Sequence, residues 1–362
     1  MAKLRPLAED DVAAVVSLFE RVYPEHRWAS RAECESYFHE VLFDNPWRDL
    51  DLPSWLACDD GRAIAFIGIV PRPMQFRGRP MRAAVGCQFM VDPEWRRTLV
   101  GLQLAKAVLA GRQDLFIADG ANDDARRLWL GIGGTVPLLY SFHWTRLLRP
   151  VRYLLSLVQR NERRPAWTRA ASPFCAMADA LAGKLRQNRF GHDDGELADE
   201  ALDAQAIATH MPAVCNGSML KPVYDARAAG WLLDQTARKT RYGKFRARAV
   251  LDGKRQLVGW YAHYVRKDAI SEVVSLAARN GGYESVLQKL LADGWRCGAV
   301  AVRGRMDPHH VQQLSDRHCW FRREGTWTLA HSRHPDVMTA FDHGDVFLSR
   351  MDGEWWLRFQ GG

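Results

Sequence analysis

Apolar positions in the first third of the chain change from a helical to a strand-like pattern. From Val12 to Val22 they recur at helical spacing, after Asp10 and Asp11, which predicts an amphipathic helix with Asp10 or Asp11 at its N-cap. The later residues form apolar runs separated by Asp-Gly and Gly-Arg-Pro turns. These runs predict strands at Ser54–Cys58, Ala63–Val70 and Ala83–Val91.

Helical spacing returns at Val100, where Leu104 and Val108 share one face of the predicted helix. After it, "DLFIADG" predicts a short buried strand, and "NDDARRLWLGIGG" predicts a helix that ends at its glycines. The segment "TVPLLYSFHW" predicts one more strand. The predicted order is β-α-β-β-β-α-β-α-β, ending near Arg149.

A weaker copy of this order occupies the second half of the chain. Ala249–Val265 resembles Leu56–Val70, and both segments have Asp-Gly at the turn of a predicted hairpin. A strand then passes into a helix through Gly281 and Gly282. Because the matching segments are offset by roughly 180 to 195 residues, we interpret the chain as a duplicated fold. The predicted divisions are an N-terminal domain at 1–149, a basic helical linker at 150–192 and a C-terminal domain at 193–362.

The composition is that of a globular protein, with 47% hydrophobic and 25% charged residues among 362. No apolar run approaches the roughly 20 residues of a membrane helix, and the start has no apolar signal core, so the expected localisation is cytoplasmic. The seven cysteines form no C-x-x-C pair, which favours reduced thiols over disulfides or zinc. We expect no metal, since the adjacent His309 and His310 would point to different sides of a helix.

The net charge of +8 is concentrated in one segment, because ten Lys/Arg and two Asp/Glu lie between Phe142 and Phe190. The simplest interpretation is a connecting arm with solvated arginines. The alternative is a basic amphipathic helix that makes peripheral contact with an anionic membrane or an acidic substrate. Elsewhere the two signs nearly cancel, so the charge predicts no specific nucleic-acid partner.

The sequence "VDPEWRRTLVGLQLAKAVL" places Arg96 and Arg97 where a helix is about to begin. The first N–H groups of a helix have no intrahelical partner, and its N-terminus is electropositive. Two cations there are unfavourable unless an anion binds in the turn. The pattern therefore predicts a phosphate site.

Two motifs resemble those of the GNAT acyltransferase superfamily, whose members transfer acyl groups from acyl-coenzyme A. The first, "FMVDPEWRRTLVG", is similar to the family's strand, V-x-P-x-x-R-G-x-G-x-G turn and helix. The second, "NDDARRLWLGIGG", is similar to its N-x-x-A-x-x-L-Y-x-x-x-G-F motif. The resemblance covers roughly residues 3–148. The matching positions are Val91, Pro93, Arg96, Val100, Gly101, Asn122, Ala125, Leu128 and Gly133.

The resemblance implies an α/β (α+β) fold of two GNAT-like domains, each a mixed, mostly antiparallel sheet flanked by helices. It also implies that acetyl-CoA or another acyl-CoA binds the first domain. The second domain has Gly281 and Gly282 at its matching turn but only Arg279 as charge, so we interpret it as the degenerate copy; the alternative is that it is the active one. The residues implied to contact the donor are Phe89, Met90 and Val91 at the pantetheine arm, Arg96, Arg97, Thr98, Leu99, Val100 and Gly101 at the diphosphate, and Asn122 in the second motif.

The chain departs from the family pattern at positions that matter for chemistry. Arg97 and Leu99 replace two glycines of the turn, and Trp129 stands where the family often has a tyrosine that protonates the leaving thiolate. No glutamate occurs early in the preceding strand, and Gln88 cannot act as a base. The candidates that remain for proton transfer are Tyr140 as general acid, and Asp119. His143, and His39 and Glu40 on a second predicted helix, are further alternatives.

These observations predict an acyltransferase that acylates an amine or a hydroxyl of a small molecule, an amino sugar or a peptide. Aminolysis of a thioester depends strongly on positioning, so the missing acid and base do not exclude catalysis. A non-catalytic GNAT-fold scaffold or acyl-CoA sensor is the first alternative. A transferase that uses aminoacyl-tRNA or acyl-carrier protein as donor is the second. The sequence leaves the oligomeric state open.

Overall fold

The computed structural model of the protein describes residues 2–25, 28–154 and 197–357. The predicted basic linker at 150–192 therefore lies outside the described residues, apart from its first five positions. No helix within the described ranges is both long and apolar enough to cross a membrane.

The described residues form strands and helices in the following chain order. The strands are β1 (Lys3–Pro6), β2 (Trp55–Asp59), β3 (Arg62–Phe76), β4 (Arg79–Val91), β5 (Leu115–Ala121), β6 (Phe142–Leu147), β7 (Ala198–Ala201), β8 (Leu220–Pro222), β9 (Lys244–Leu251), β10 (Leu257–Val265), β11 (Ile270–Ala278), β12 (Ala301–Arg305), β13 (Trp320–Arg323) and β14 (Trp327–Ser332). The helices are α1 (Val12–Val22), α2 (Arg31–Leu42), α3 (Val100–Leu109), α4 (Asp123–Leu130), α5 (Ala204–Val214), α6 (Ala226–Ala237), α7 (Tyr283–Arg296), α8 (Val311–Asp316) and α9 (Pro335–His343).

The chain divides into two compact units, and each contains its own mixed sheet. Unit 1 comprises Met1–Ser141, Gly217–Arg241 and Arg323–Gly362, and unit 2 comprises Phe142–Asn216 and Tyr242–Arg322. The sheet of unit 1 has the order β1-β2-β3-β4-β5-β14, with β8 added beside β3, and the second sheet has the order β13-β6-β12-β11-β10-β9-β7. The expected α+β architecture with two mostly antiparallel sheets is confirmed. The simple sequential division at residues 149 and 193 stays a prediction.

The two sheets exchange a strand along the chain. In unit 1, β4 and β5 are parallel, and β14 from the second half of the chain pairs antiparallel with β5. In unit 2, β11 and β12 are parallel, and β6 from the first half pairs antiparallel with β12. Each sheet thus includes a strand from the other half of the chain.

The core of unit 1 holds α3 and α4 against one face of its sheet. Phe116 of β5 stacks on Trp129 of α4, with ring centroids 4.4 Å apart and an interplanar angle of 15°. Both side chains are buried. A Cβ atom at Gly86 would overlap the ring of Phe116, so the glycine lets that ring pack directly on β4. Trp129 is therefore a core residue, as its apolar surroundings require.

Two strand predictions differ from the structure. The segment "TVPLLYSFHW" becomes a strand only at Phe142, because Tyr140 donates its N–H to Pro137 O at 3.1 Å and closes a short helical turn over Leu138–Ser141. The apolar residues of "DVFLSRMDGEWWLRF" predict a strand pair around Asp352, but the structure has a series of turns there up to residue 357. There Asp352 accepts hydrogen bonds from both the N–H and the hydroxyl of Ser349 at 2.6 Å, which favours a turn over an extended chain.

Candidate functional site

Strands β4 and β5 separate at one end of their parallel pair. Their register pairs Ala83 with Leu115 and ends at Val85 with Ile117. Beyond that point, β4 continues to Val91 and β5 to Ala121, with no further pair between them in the described residues. The backbone groups that face this gap are therefore available to other partners.

A bulge in β4 lies beside the gap. The register between β3 and β4 shifts between Phe66 and Gly68, and Gln88 on the opposite strand has a φ of 51°. A left-handed backbone is unfavourable for a glutamine within a strand. The Gln88 side chain is only 5% exposed, and its buried Nε2 atom has no hydrogen-bond partner among the described residues. This combination of backbone strain and an unsatisfied donor is typical of functional positions.

The turn between β4 and α3 presents several unpaired donors. The backbone N–H groups of Leu99, Gly101 and Leu102 have no acceptor within the described parts of the chain. Arg96 and Arg97 are exposed, and neither forms an ion pair with a described acidic residue. Such a turn at the start of a helix matches the chemistry of a bound diphosphate.

The residues assigned to the donor by resemblance lie along this turn and the strand before it. Thr98 and Leu99 are exposed at the turn, with Leu99 66% exposed, whereas Val100 and Met90 are buried. A Cβ atom on Gly101 would lie 3.3 Å from Val91 Cγ2 and 3.5 Å from Phe89 Cζ, so the glycine lets α3 begin close to β4. This close contact is kept although Arg97 and Leu99 replace two glycines of the family turn.

Asn122 occupies the N-cap of α4. Its side-chain oxygen accepts a hydrogen bond from the N–H of Ala125 at 2.9 Å, which satisfies one unpaired donor of the helix. The geometry gives Asn122 a structural function, and its contact with the donor stays a prediction. Trp129 occupies the position of the family tyrosine. Its ring is buried in the core against Phe116, so this position supplies no hydroxyl to the gap.

A pair of carboxylates lies at the gap, and one of them comes from the end of the chain. Glu354 Oε1 accepts a hydrogen bond from Gly120 N at 2.8 Å, and its Oε2 accepts a longer one from Gln88 N at 3.4 Å. The carboxylate therefore bridges β4 and β5 beyond their last pair. Asp119 Oδ1 accepts the backbone N–H of Glu354 at 2.7 Å, so Asp119 positions the segment that carries Glu354.

Burial dominates the electrostatics of the Glu354 carboxylate. The Glu354 side chain is 9% exposed, and burial, reinforced by the charge of Asp119, raises its pKa to about 8. The hydrogen bonds from Gly120 and Gln88 oppose this rise because they stabilise the charged form. A carboxyl group that gains and loses its proton near neutral pH can serve as an acid and as a base.

The other sequence-based candidates for proton transfer have structural partners. The Tyr140 hydroxyl donates to Val346 O at 2.9 Å and accepts from Val346 N at 3.0 Å in the core of unit 1. Its assignment as general acid stays a prediction, as does that of Asp119. His39 contacts Asp44, and Glu40 accepts hydrogen bonds from Gln235 and Arg238. His143 lies in β6 of the second sheet.

Sequence reasoning missed Glu354 because no local signal marks it. It lies 234 positions after Gly120, in a segment whose apolar residues predicted a strand pair. The one hint in the sequence is the "DGE" run, because a glycine beside a glutamate allows another segment to approach closely. Here the close neighbour is Asp119, whose carboxylate a Cβ on Gly353 would overlap. No group of three or more His, Cys, Asp or Glu side chains in the described ranges has a metal-binding arrangement.

The fold and the site together define an α+β protein with a gap between two separated parallel strands and, beside it, a turn in which several N–H groups lack acceptors in the described part of the chain. Residues 15–132 match the family model described as "Acetyltransferase (GNAT) family". This part of the chain is therefore similar in sequence to the GNAT acyltransferase family, whose members use acyl-CoA as donor. A comparison with curated proteins finds no significant sequence match.

Several solved structures share the fold along nearly the whole chain. A "Probable N-Acyltransferase" of Enterococcus faecalis is 8% identical, with a TM-score of 0.58 and coverage of 92% of this chain and 73% of that one. A GCN5-related N-acetyltransferase from Kribbella flavida is 15% identical, with a TM-score of 0.55 and coverage of 91% and 70%. N-myristoyltransferase from Saccharomyces cerevisiae with bound myristoyl-CoA is 11% identical, with a TM-score of 0.51 and coverage of 91% and 77%. At these identities, the likeness establishes the fold alone.

Proposed function

We propose that the protein transfers an acetyl or longer acyl group from acyl-coenzyme A to an amine or a hydroxyl. The acceptor would be a small molecule, an amino sugar or a peptide. In this proposal, the turn from Arg96 to Gly101 binds the diphosphate of the donor. The pantetheine arm lies along Phe89–Val91, in the gap between β4 and β5.

One observation carries the proposal. Unpaired N–H groups at the start of α3 and two arginines without acidic partners converge at the end of β4, where β4 and β5 have separated. Arginine is well suited to phosphate oxygens because its donors form a planar fork. The gap continues from this turn toward Gln88 and Glu354, which gives a linear thioester a path from the diphosphate site to the carboxylate pair.

Calorimetry with acetyl-CoA tests the donor site. We expect wild type to bind, and the double variant Arg96→Ala/Arg97→Ala to lose affinity by about tenfold or more, because it removes charge-assisted hydrogen bonds to phosphate. The loss should shrink as salt is added. Arg79→Ala is the matched control, since Arg79 is an exposed arginine at the opposite end of β4. Absence of binding by wild type would contradict the proposal.

A non-catalytic acyl-CoA sensor is the second candidate. The observation that favours it is the burial of Trp129 in the core, where many relatives would place a tyrosine hydroxyl. Release of free thiol from acetyl-CoA, measured across a broad panel of primary amines, separates the two. Thiol release above the rate without protein supports the transferase, whereas binding without any release supports the sensor.

A further inference from the structure

The last described segment of unit 1 brings a carboxylate into the gap between β4 and β5. This segment follows the turn at Ser349–Asp352, and Glu354 extends from it to contact backbone N–H groups on β4 and β5. Glycine at 120 is required for this approach, because a Cβ there would lie 2.5 Å from Glu354 Oε1. The matched family model ends at residue 132, so the segment lies outside it.

Several titratable groups surround the Glu354 carboxylate. They are Asp119 of β5, Cys87 of β4, Tyr23 at the end of α1, and Lys239 after α6. Burial raises the pKa of Tyr23, the charge of Glu354 adds to the rise, and the charge of Arg96 opposes it. Tyr23 therefore responds to both the anion-binding turn and the carboxylate, which supports the view that these two features belong to one site.

We propose that Glu354 is the residue that accepts the proton of the attacking amine and returns it to the coenzyme A sulfur, an inference that rests on the proposed function. The neutral amine nitrogen attacks the thioester carbonyl carbon, the C–N bond forms, and one N–H proton passes to the Glu354 carboxylate. The C–S bond then breaks, and the thiolate leaves with the electron pair. The protonated Glu354 gives its proton to that thiolate, so one amine and one thioester become one amide and one thiol.

The remaining contacts of Glu354 suit this role. Its two backbone hydrogen bonds fix the carboxylate across the gap, and the Asp119 contact with the backbone N–H of Glu354 holds the segment in register. The unpartnered Nε2 of Gln88, on the residue whose backbone N–H faces Glu354, adds a donor that could contact the carbonyl oxygen of a thioester. These hydrogen bonds of Glu354 go to Gly120, Gln88 and Asp119 and not to the turn at Arg96 and Arg97, so we expect a conservative substitution of Glu354 to leave that turn unchanged.

The variant Glu354→Gln tests the assignment because its amide oxygen still accepts from Gly120 N. We expect acetyl-CoA to bind with unchanged affinity, and thiol release with any amine that wild type acylates to fall by about 100-fold or more. In wild type, kcat/KM should rise as the pH increases through about 8, and the variant should lose this dependence. Asp342→Asn, an exposed carboxylate-to-amide change in the same unit, should retain both the rate and the pH profile.

A second readout needs no acceptor. Calorimetry of acetyl-CoA binding in phosphate and in Tris buffer at pH 8 measures the protons taken up on binding, and burial of the carboxylate by the thioester should cause uptake in wild type. Glu354→Gln should abolish this uptake, and Asp342→Asn should retain it. Equal uptake in wild type and Glu354→Gln would overturn the assignment of Glu354 alone. Absence of any binding heat in wild type would overturn the proposed function, and this inference with it.

Discussion

The backbone N–H of Glu354 donates to Asp119 Oδ1 at 2.7 Å, although the two residues are 235 positions apart in the chain. This contact depends on the small residue beside Glu354, because a Cβ on Gly353 would overlap the Asp119 carboxylate. Asp119, selected from the sequence as a catalytic candidate, thus has a defined positioning contact. The segment that carries Glu354 is thus fixed to β5, which borders the gap between the two parallel strands.

Gly353→Ala should break this contact. The added methyl group must displace either Asp119 or the C-terminal segment, so we expect the free energy of unfolding to fall by about 1–3 kcal/mol. Thiol release should fall as well, because Glu354 moves with the segment. Urea unfolding and the transfer assay measure the two effects. Gly131→Ala is the control, since its Cβ would make only ordinary contacts at 3.4 Å and its φ is −67°; an equal loss in both variants would contradict the argument.

Tyr140→Phe separates a structural from a catalytic tyrosine. The hydroxyl satisfies both the N–H and the C=O of Val346 in the core, so its removal leaves two buried backbone groups without a partner. We expect the free energy of unfolding to fall by about 1–3 kcal/mol, and the rate of thiol release from the folded protein to stay within about twofold of wild type, since no proton-transfer step is lost. A rate lower by about 100-fold with unchanged stability would instead establish Tyr140 as the general acid.

Gln88→Gly tests whether the strained residue in β4 has a function. Glycine adopts a φ of 51° without strain, and the change also removes a buried, unsatisfied amide, so the protein should become more stable by about 1 kcal/mol. Turnover should fall if the amide serves the thioester. Asp60→Gly is the matched control, because Asp60 has a φ of 46° in an exposed turn and should change stability alone. Reduced stability with unchanged turnover would show that the carboxamide is structural.

The stability of unit 2 should depend on pH through His263. Its ring is fully buried, with Nδ1 2.8 Å from Ser271 Oγ and Nε2 3.0 Å from Asp293 Oδ2, and Arg246 also pairs with Asp293. Burial lowers the pKa of His263, although the hydrogen bond with Asp293 opposes the shift. The unfolded chain therefore takes up a proton first as the pH falls. The stabilisation is complete above the unfolded pKa of about 6.5 and is lost progressively below it.

The variant His263→Gln tests the direction of this pH dependence. Glutamine can still bridge Ser271 and Asp293 but does not titrate. Between pH 7 and pH 5, the free energy of unfolding of wild type should fall more steeply, by up to about 1.4 kcal/mol per pH unit. Burial raises the pKa of Asp293, but its hydrogen bonds with His263 and Arg246 lower it further, so the net pKa lies below the usual range. Asp293 therefore contributes to the pH dependence only at more acidic pH. Parallel curves for the two proteins would contradict the assignment.

The elements around the donor turn could be predicted from the sequence because their information is local. Apolar periodicity and the glycines that end a helix act within a few residues of one another, so β4, α3, β5 and α4 were expected close to their observed bounds. The proposal of an anion site at this turn also came from local features, since Arg96 and Arg97 directly precede a helix. The family followed from the same short motifs.

Local patterns failed where long-range contacts decide the structure. Apolar residues around Asp352 predicted strands, but side-chain hydrogen bonds to Ser349 form turns there instead. Tyr140 was assigned to a strand near the thioester, whereas Pro137 and the backbone of Val346 hold it in a turn within the core. Periodicity describes which residues can be buried, but not which partners satisfy their polar groups.

The sequence by itself thus determined the fold class and the place of the turn that carries Arg96 and Arg97, because both depend on residues that are neighbours in the chain. The tertiary structure alone decided the exchange of β6 and β14, and it alone brought Glu354 beside Asp119. Strand exchange depends on hydrogen bonds between residues far apart in the chain, as at Ser332 and Leu115. The proton affinity of Glu354 likewise arises from burial and a neighbouring charge, which exist only after the chain has folded.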